Sequence, residues 1–191
     1  MSTPLSADPQ TGHVRWTRDS FRMMEEAGLF SDGRYELLEG EIVKIMPNEP
    51  HTFVNSELVF LLANIFGSAY VRVPSSLAAT ETSEPEPDVS VTVKPRREYL
   101  KTGIPPGSEF RLVVEVSDST LWRDKGQKAK LYAAAGVPEY WVVNLTGRTV
   151  IVTVGLSATT TRALSPTTKT SLSPPKPPQS TPLPSPKFSH R

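Results

Sequence analysis

Three side chains in this sequence have the types and spacing to act together on a phosphodiester: Asp88, Glu115 and Lys128. Asp88 follows Glu-Pro-Glu-Pro at the entrance of an extended run, and the proline before it biases the chain toward extended geometry and fixes the carboxylate's direction. The plain alternative for Asp88 is a turn aspartate. Glu115 interrupts Leu112-Val-Val-Glu-Val116, where an unpaired buried carboxylate would cost several kcal/mol, so it demands a partner. Strand alternation puts Arg111, Val113, Glu115 and Ser117 on one face, so a structural ion pair with Arg111 is the competing reading. At about 100° per residue, Asp124, Lys128, Leu131 and Ala135 share a helix face, whereas Lys125 and Lys130 point away. A lysine stem covering apolar surface with its ammonium in water is the alternative for Lys128. Taken together, two carboxylates and a lysine match the needs of metal-dependent phosphodiester hydrolysis. The acids are oxygen ligands for Mg²⁺, with Mn²⁺ as a substitute, and the lysine is a cation near the scissile phosphate.

These residues need elements to position them. Thr17 can cap a helix over residues 18–27 that Gly28 stops. Residues 34–46 read as a hairpin turning at Glu39-Gly40. Val54, Leu58, Leu61, Leu62 and Ile65 recur at intervals of three and four, predicting an amphipathic helix over 51–66. Strands are expected at 70–73, 88–93 and 110–116, the last apolar enough to be central in a sheet and covered on both faces. A helix opening within 119–124 and closing at Gly136 follows, then strands 139–144 and 149–154. The order predicts a layered α/β domain with a mixed central sheet flanked by helices.

Composition limits the rest. The 191 residues contain no cysteine and only three histidines (His13, His51, His190), which excludes disulfides and a Cys-ligated zinc site. We expect a cytoplasmic protein that is neither secreted nor membrane-spanning, since the longest apolar run, from Leu58 to Ile65, is broken by Asn64. The net charge of +1 conceals a division: from Leu145 onward there are six basic residues and no acid, leaving 15 basic and 20 acidic residues before it, a net of −5. Such a body argues against broad non-specific DNA binding. Lys94, Arg96, Arg97 and Lys101 could supply one local phosphate contact. We expect residues 1–15 and the Pro/Ser/Thr-rich 155–191 to be disordered around a domain at 16–154.

Glu84-Pro-Glu-Pro-Asp-Val-Ser-Val91, Leu112-Val-Val-Glu-Val-Ser117, Arg123-Asp-Lys-Gly-Gln-Lys-Ala-Lys-Leu-Tyr132 and Gly136-Val-Pro-Glu-Tyr-Trp141 together resemble the Uma family of restriction endonucleases, within the PD-(D/E)XK nuclease superfamily. The resemblance covers about residues 16–154 and includes Tyr35-Glu-Leu-Leu-Glu-Gly-Glu41 and His51. It implies a restriction-endonuclease-like α/β core, Asp88 and Glu115 as metal carboxylates, and an Mg²⁺-dependent endonuclease acting on DNA; a domain that lacks its last strands would leave a sheet edge unpaired, which a homodimer would cover. Ser117 stands where the superfamily's lysine is expected, and the resemblance offers Lys128 in its place. Glu36 and His51 are weaker site candidates, a surface glutamate and a helix-capping histidine being their alternatives. After Val154 the family pattern of further strands gives way to proline, serine and threonine, which fits either a shifted reading frame near 154–156 or a native basic tail. A catalytically inactive nuclease-fold binding or assembly module is the second functional reading. A glycosidase using the two acids ranks last, because it leaves Lys128 without a task.

Overall fold

A computed structural model describes residues 5–7, 12 and 14–155. In chain order the elements are β1 (Leu5–Ala7), β2 (Val14–Trp16), α1 (Arg18–Glu26), β3 (Arg34–Leu38), β4 (Glu41–Ile45), α2 (Glu49–Phe66), β5 (Val71–Arg72), β6 (Val89–Thr92), α3 (Tyr99–Thr102) and β7 (Phe110–Ser117). A helical segment follows, composed of α4 (Leu121–Arg123), a π-helical turn (Asp124–Lys128) and α5 (Ala129–Ala134), and then β8 (Glu139–Asn144) and β9 (Thr149–Val154). The central sheet has the order β5-β6-β7-β8-β9. It is mixed: β7 and β8 run parallel, with Glu115 opposite Val142, and the other pairs are antiparallel. This is the α/β arrangement expected from the order of sequence patterns.

Two apolar layers clamp β7, as its composition requires. On one face Leu112 and Val114 join Val89, Val91, Val71 and Leu62 of α2. On the other, Val113 and Phe110 pack with Tyr132 of α5, Tyr140 and Val142. Burying such side chains contributes about 1.5–3 kcal/mol each against their exposed state.

The elements begin and end for local reasons. Thr17 caps α1 in a reciprocal box with Ser20, whose hydroxyl accepts from the Thr17 N–H. Asn48 caps α2, its Oδ1 accepting the His51 N–H at 3.0 Å, so the helix starts two residues earlier than the apolar spacing predicts. Pro50 fits there because first-turn N–H groups lack helical partners. The β3–β4 hairpin turns at Glu39 (φ 50°) and Gly40 (φ 84°), and docks by an antiparallel bridge between Leu37 and Glu84. Buried Glu84 accepts from Arg18 at 2.9 Å and Arg22 at 3.1 Å, tying α1 to the same loop.

One departure concerns the N-terminal end. Residues 1–15 were expected to be without structure, yet β1 pairs antiparallel with β2, Leu5 opposite Trp16, and the Trp16 N–H donates to the Gly40 carbonyl at 3.1 Å. Strands of three residues leave no readable alternation in the sequence, and their docking on the hairpin is tertiary. The stretch 156–191 lies outside the described residues, as do His13 and His190. Among the described residues no helix is long and apolar enough to cross a membrane.

Candidate active site

β6, β7, the π-helical turn, the β3–β4 hairpin and the start of α2 converge on one cleft of about 120 Å³. Glu36, His51, Asp88, Glu115, Asp124 and Lys128 all line it. Each of the five candidates read from the sequence is therefore in the same place.

Asp88 enters from the residue before β6. Its Oδ2 accepts the main-chain N–H of Val116 at 2.8 Å and lies 3.1 Å from His51 Nε2. Because Val116 follows Glu115 directly, that bond clamps the first acid beside the second. Glu115 points from the face of β7 that alternation assigns, but Arg111 is not its partner: Arg111 is exposed, with its guanidinium over the Tyr70 ring. The partners are Lys128 Nζ at 3.0 Å and the Tyr132 hydroxyl, which donates at 2.6 Å to the same Oε1. Lys128 does not snorkel. It is 5% exposed, and its Nζ also meets Glu36 Oε2 at 2.9 Å. Glu36 is likewise buried rather than on the surface, and accepts the Glu86 N–H at 3.2 Å. His51 does not cap α2 with its ring; Asn48 does so, freeing the imidazole for Asp88.

The π-helical turn explains how Lys128 and Asp124 both face inward. A local i→i+5 turn is wider than an α-turn and is often found at functional sites. Asp124 is buried, held by the Thr120 hydroxyl at 2.6 Å, while the Tyr140 hydroxyl donates to its carbonyl at 3.0 Å. Lys125 and Lys130 are exposed, as the helical wheel predicts. The sequence placed Asp124 on the Lys128 face without assigning it to the site; the signal was the i, i+4 pair of opposite charges.

Burial dominates the electrostatics. It pushes the Glu115 carboxyl well above its ordinary range, against the pull of Lys128 and with added repulsion from Asp88, Asp124 and Glu36. Asp124 is raised by burial as well, opposed by Lys128 and the Thr120 bond. Lys128 is held up as an ammonium: burial disfavours the charge, but Glu115, Glu36 and Asp124 outweigh it. His51 is raised by its bond to Asp88, against burial. Six acidic residues, Glu36, Glu86, Asp88, Glu115, Asp118 and Asp124, thus line the cleft against three permanent cations, Lys44, Arg123 and Lys128, leaving an excess of acid.

That excess, with hard oxygen donors, fits a divalent cation. Asp88 uses Oδ2 for both its contacts and Glu115 uses Oε1 for both of its own, so each retains a second oxygen. Among the described residues no group of three or more His, Asp or Glu side chains is assembled to hold a metal. Two free carboxylate oxygens fit a divalent cation that keeps several waters and takes one or two protein carboxylates.

A family model described as Uma2, putative restriction endonuclease, matches residues 19–177. The chain belongs to that family. The matched span runs past residue 154, where the sequence led us to end the domain. Among solved structures, the Uma2 chain is similar to a putative nuclease belonging to DUF820 from Anabaena variabilis ATCC 29413, at 20% identity and a TM-score of 0.56, over 73% of this chain and 79% of that one. That likeness is one of fold. No curated protein matches. The basic group read as a phosphate contact lies elsewhere: Lys94, Arg97 and Lys101 line a separate cavity with Pro105 and Pro106, and Lys94 is 2.8 Å from Glu109.

Proposed function

We propose that this Uma2 protein is a metal-dependent endonuclease that hydrolyses DNA phosphodiester bonds, with Asp88 and Glu115 as ligands of Mg²⁺ or Mn²⁺ and Lys128 as the fixed cation. The observation that carries this reading is the meeting of Asp88, Glu115 and Lys128 in one acid-rich cleft. When bound, the ion supplies positive charge to the scissile phosphate and acidity to water. The chain's own residues do the rest. The Val116 N–H and His51 orient Asp88; Tyr132 and Lys128 orient Glu115. Lys128, held as an ammonium by Glu115 and Glu36, serves as an electrostatic stabiliser and not as a general base.

The test is supercoiled plasmid, whose underwinding favours local strand opening, with Mg²⁺ or Mn²⁺. Nicking is expected from the wild type and lost in Asp88→Ala and Glu115→Ala. Cleavage that survives in both variants sinks the assignment, and well-folded protein inert with either metal supports the inactive binding-module reading instead. The homodimer has one support: among the described residues β9 is an edge strand of uncharged residues, with Val150, Val152 and Val154 exposed, and such an edge is suited to pair with a second copy. Sedimentation that stays monomeric at all concentrations removes it.

A further inference from the structure

Beside the cleft, on α4, Trp122 is 71% exposed. The next residue, Arg123, lines the cleft, and its Cζ lies 5.3 Å from the Trp122 ring centroid. The guanidinium therefore fixes the indole next to the site while the ring stays in water. Met46, 82% exposed, lines the same cleft from the β4–α2 connection. Two exposed apolar side chains thus stand at the cleft or next to its lining, whose buried part includes Glu36, Asp88, Glu115 and Asp124.

Two further facts bear on what such a cleft can hold. The body before Leu145 carries 15 basic against 20 acidic residues, so tight binding cannot rest on many phosphate contacts and must draw on another source. Stacking of a base on an aromatic ring is such a source, and every nucleobase has a face to offer. In a duplex those faces are already stacked on one another, and the second strand would bring more phosphate charge toward Glu36, Asp88, Glu115 and Asp124. A single strand presents free bases and only one backbone to a cleft of about 120 Å³.

We propose that Trp122 and Arg123 form a nucleobase-stacking platform, and that the substrate class of this cleft is single-stranded nucleic acid. The inference rests on the phosphodiester reading of the cleft and narrows its substrate. Trp122 holds a base next to the scissile linkage, and Arg123 contributes a cation on the path from the platform to the acids.

The test uses full-length protein in EDTA, so that binding is read without hydrolysis, and follows the fluorescence anisotropy of labelled oligo(dT), oligo(rU) and the dT·dA duplex. The wild type is expected to bind the single strands more tightly than the duplex. Trp122→Ala should weaken single-strand binding by about tenfold, Trp122→Phe should retain most of it, and neither should change duplex binding. The two single strands report whether deoxyribose or ribose is preferred. Equal affinity for duplex and single strand, wild-type binding by Trp122→Ala, or no binding of any oligonucleotide overturns the platform. Metal-dependent cleavage of duplex that needs Asp88 but not Trp122 would overturn the platform and keep the nuclease reading. Trp122-dependent binding without cleavage under any metal would do the reverse.

Discussion

The Lys128 ammonium lies 3.0 Å from Glu115 Oε1, thirteen residues away in sequence and on a different element. Both groups are nearly sealed from solvent, so the contact is a buried charge-assisted hydrogen bond, an ion pair when Glu115 is ionised, extended by Glu36 on the other side of the same nitrogen at 2.9 Å. Removing one partner of such a pair leaves a buried charge uncompensated, at a cost of about 3–5 kcal/mol. Lys128→Met keeps the stem and removes the charge. Chemical denaturation should show a loss of about that size, and plasmid nicking should fall by about 10²-fold or more. Adding Glu115→Gln to Lys128→Met should recover part of the stability but none of the nicking, since the two groups are coupled. Equal stability of wild type and Lys128→Met would show that the pair is not buried as described.

Glu115 also sets a pH dependence. Burial holds its carboxyl well above the ordinary 4.5, so the folded protein keeps a proton that the unfolded chain releases. The stabilisation is fully present below the unfolded value and is lost as pH rises through the folded one. His51, raised from 6.5 by Asp88, works with the same sign. Without metal, wild-type melting temperature should fall relative to Glu115→Gln as pH rises above the ordinary carboxyl value of 4.5. Melting curves for the two proteins at successive pH values measure the difference, and parallel profiles would remove the buried-proton account. At the proposed site Mg²⁺ would compete with that proton, so its affinity should rise with pH above the ordinary carboxyl value.

Two glycines, one packed against the end of the helical segment and one within it, predict opposite effects. A Cβ on Gly107 would run into the Ala135 carbonyl and Cβ just past the end of α5, where backbone cannot yield. Gly107→Ala should therefore destabilise by about 1–3 kcal/mol. Gly126 lies within the π-helical turn, and a Cβ there meets nothing within 4 Å. Gly126→Ala should stabilise by about 0.5–1 kcal/mol, because alanine costs less conformational entropy in a helical backbone. Urea titrations of the two variants decide both signs.

What could be read from sequence depended on how local the cause was. β7 announced itself, because eight residues so rich in Val, Leu and Phe can only be a doubly covered strand, and Glu115 within it had to find a partner. The partner itself was misplaced by the local alternative, Arg111, since one strand's alternation says nothing of what packs above it. Lys128 was legible from helical spacing, but the π-helical turn that carries it was not, for a wide turn leaves no pattern distinct from an α-turn over five residues. Glu36 and His51 were faint because their significance is tertiary: the hairpin is brought to the cleft by the Leu37–Glu84 bridge, and the imidazole is free only because Asn48 takes over the cap. Asp124 was on the right face and lacked only a reason to be buried, which Thr120 and Lys128 supply. β1 and β2, with three residues each, carried no periodicity at all.

The most direct test of the metal site needs no substrate. Isothermal titration of the purified chain with Mn²⁺ and Mg²⁺ should show one site in the wild type, weakened by about tenfold or more in Asp88→Asn and again in Glu115→Gln, with Asp118→Asn on the cleft's rim unchanged. Equal affinity in wild type and Asp88→Asn, or no binding by the folded wild type, would contradict the claim that these two acids hold a divalent cation.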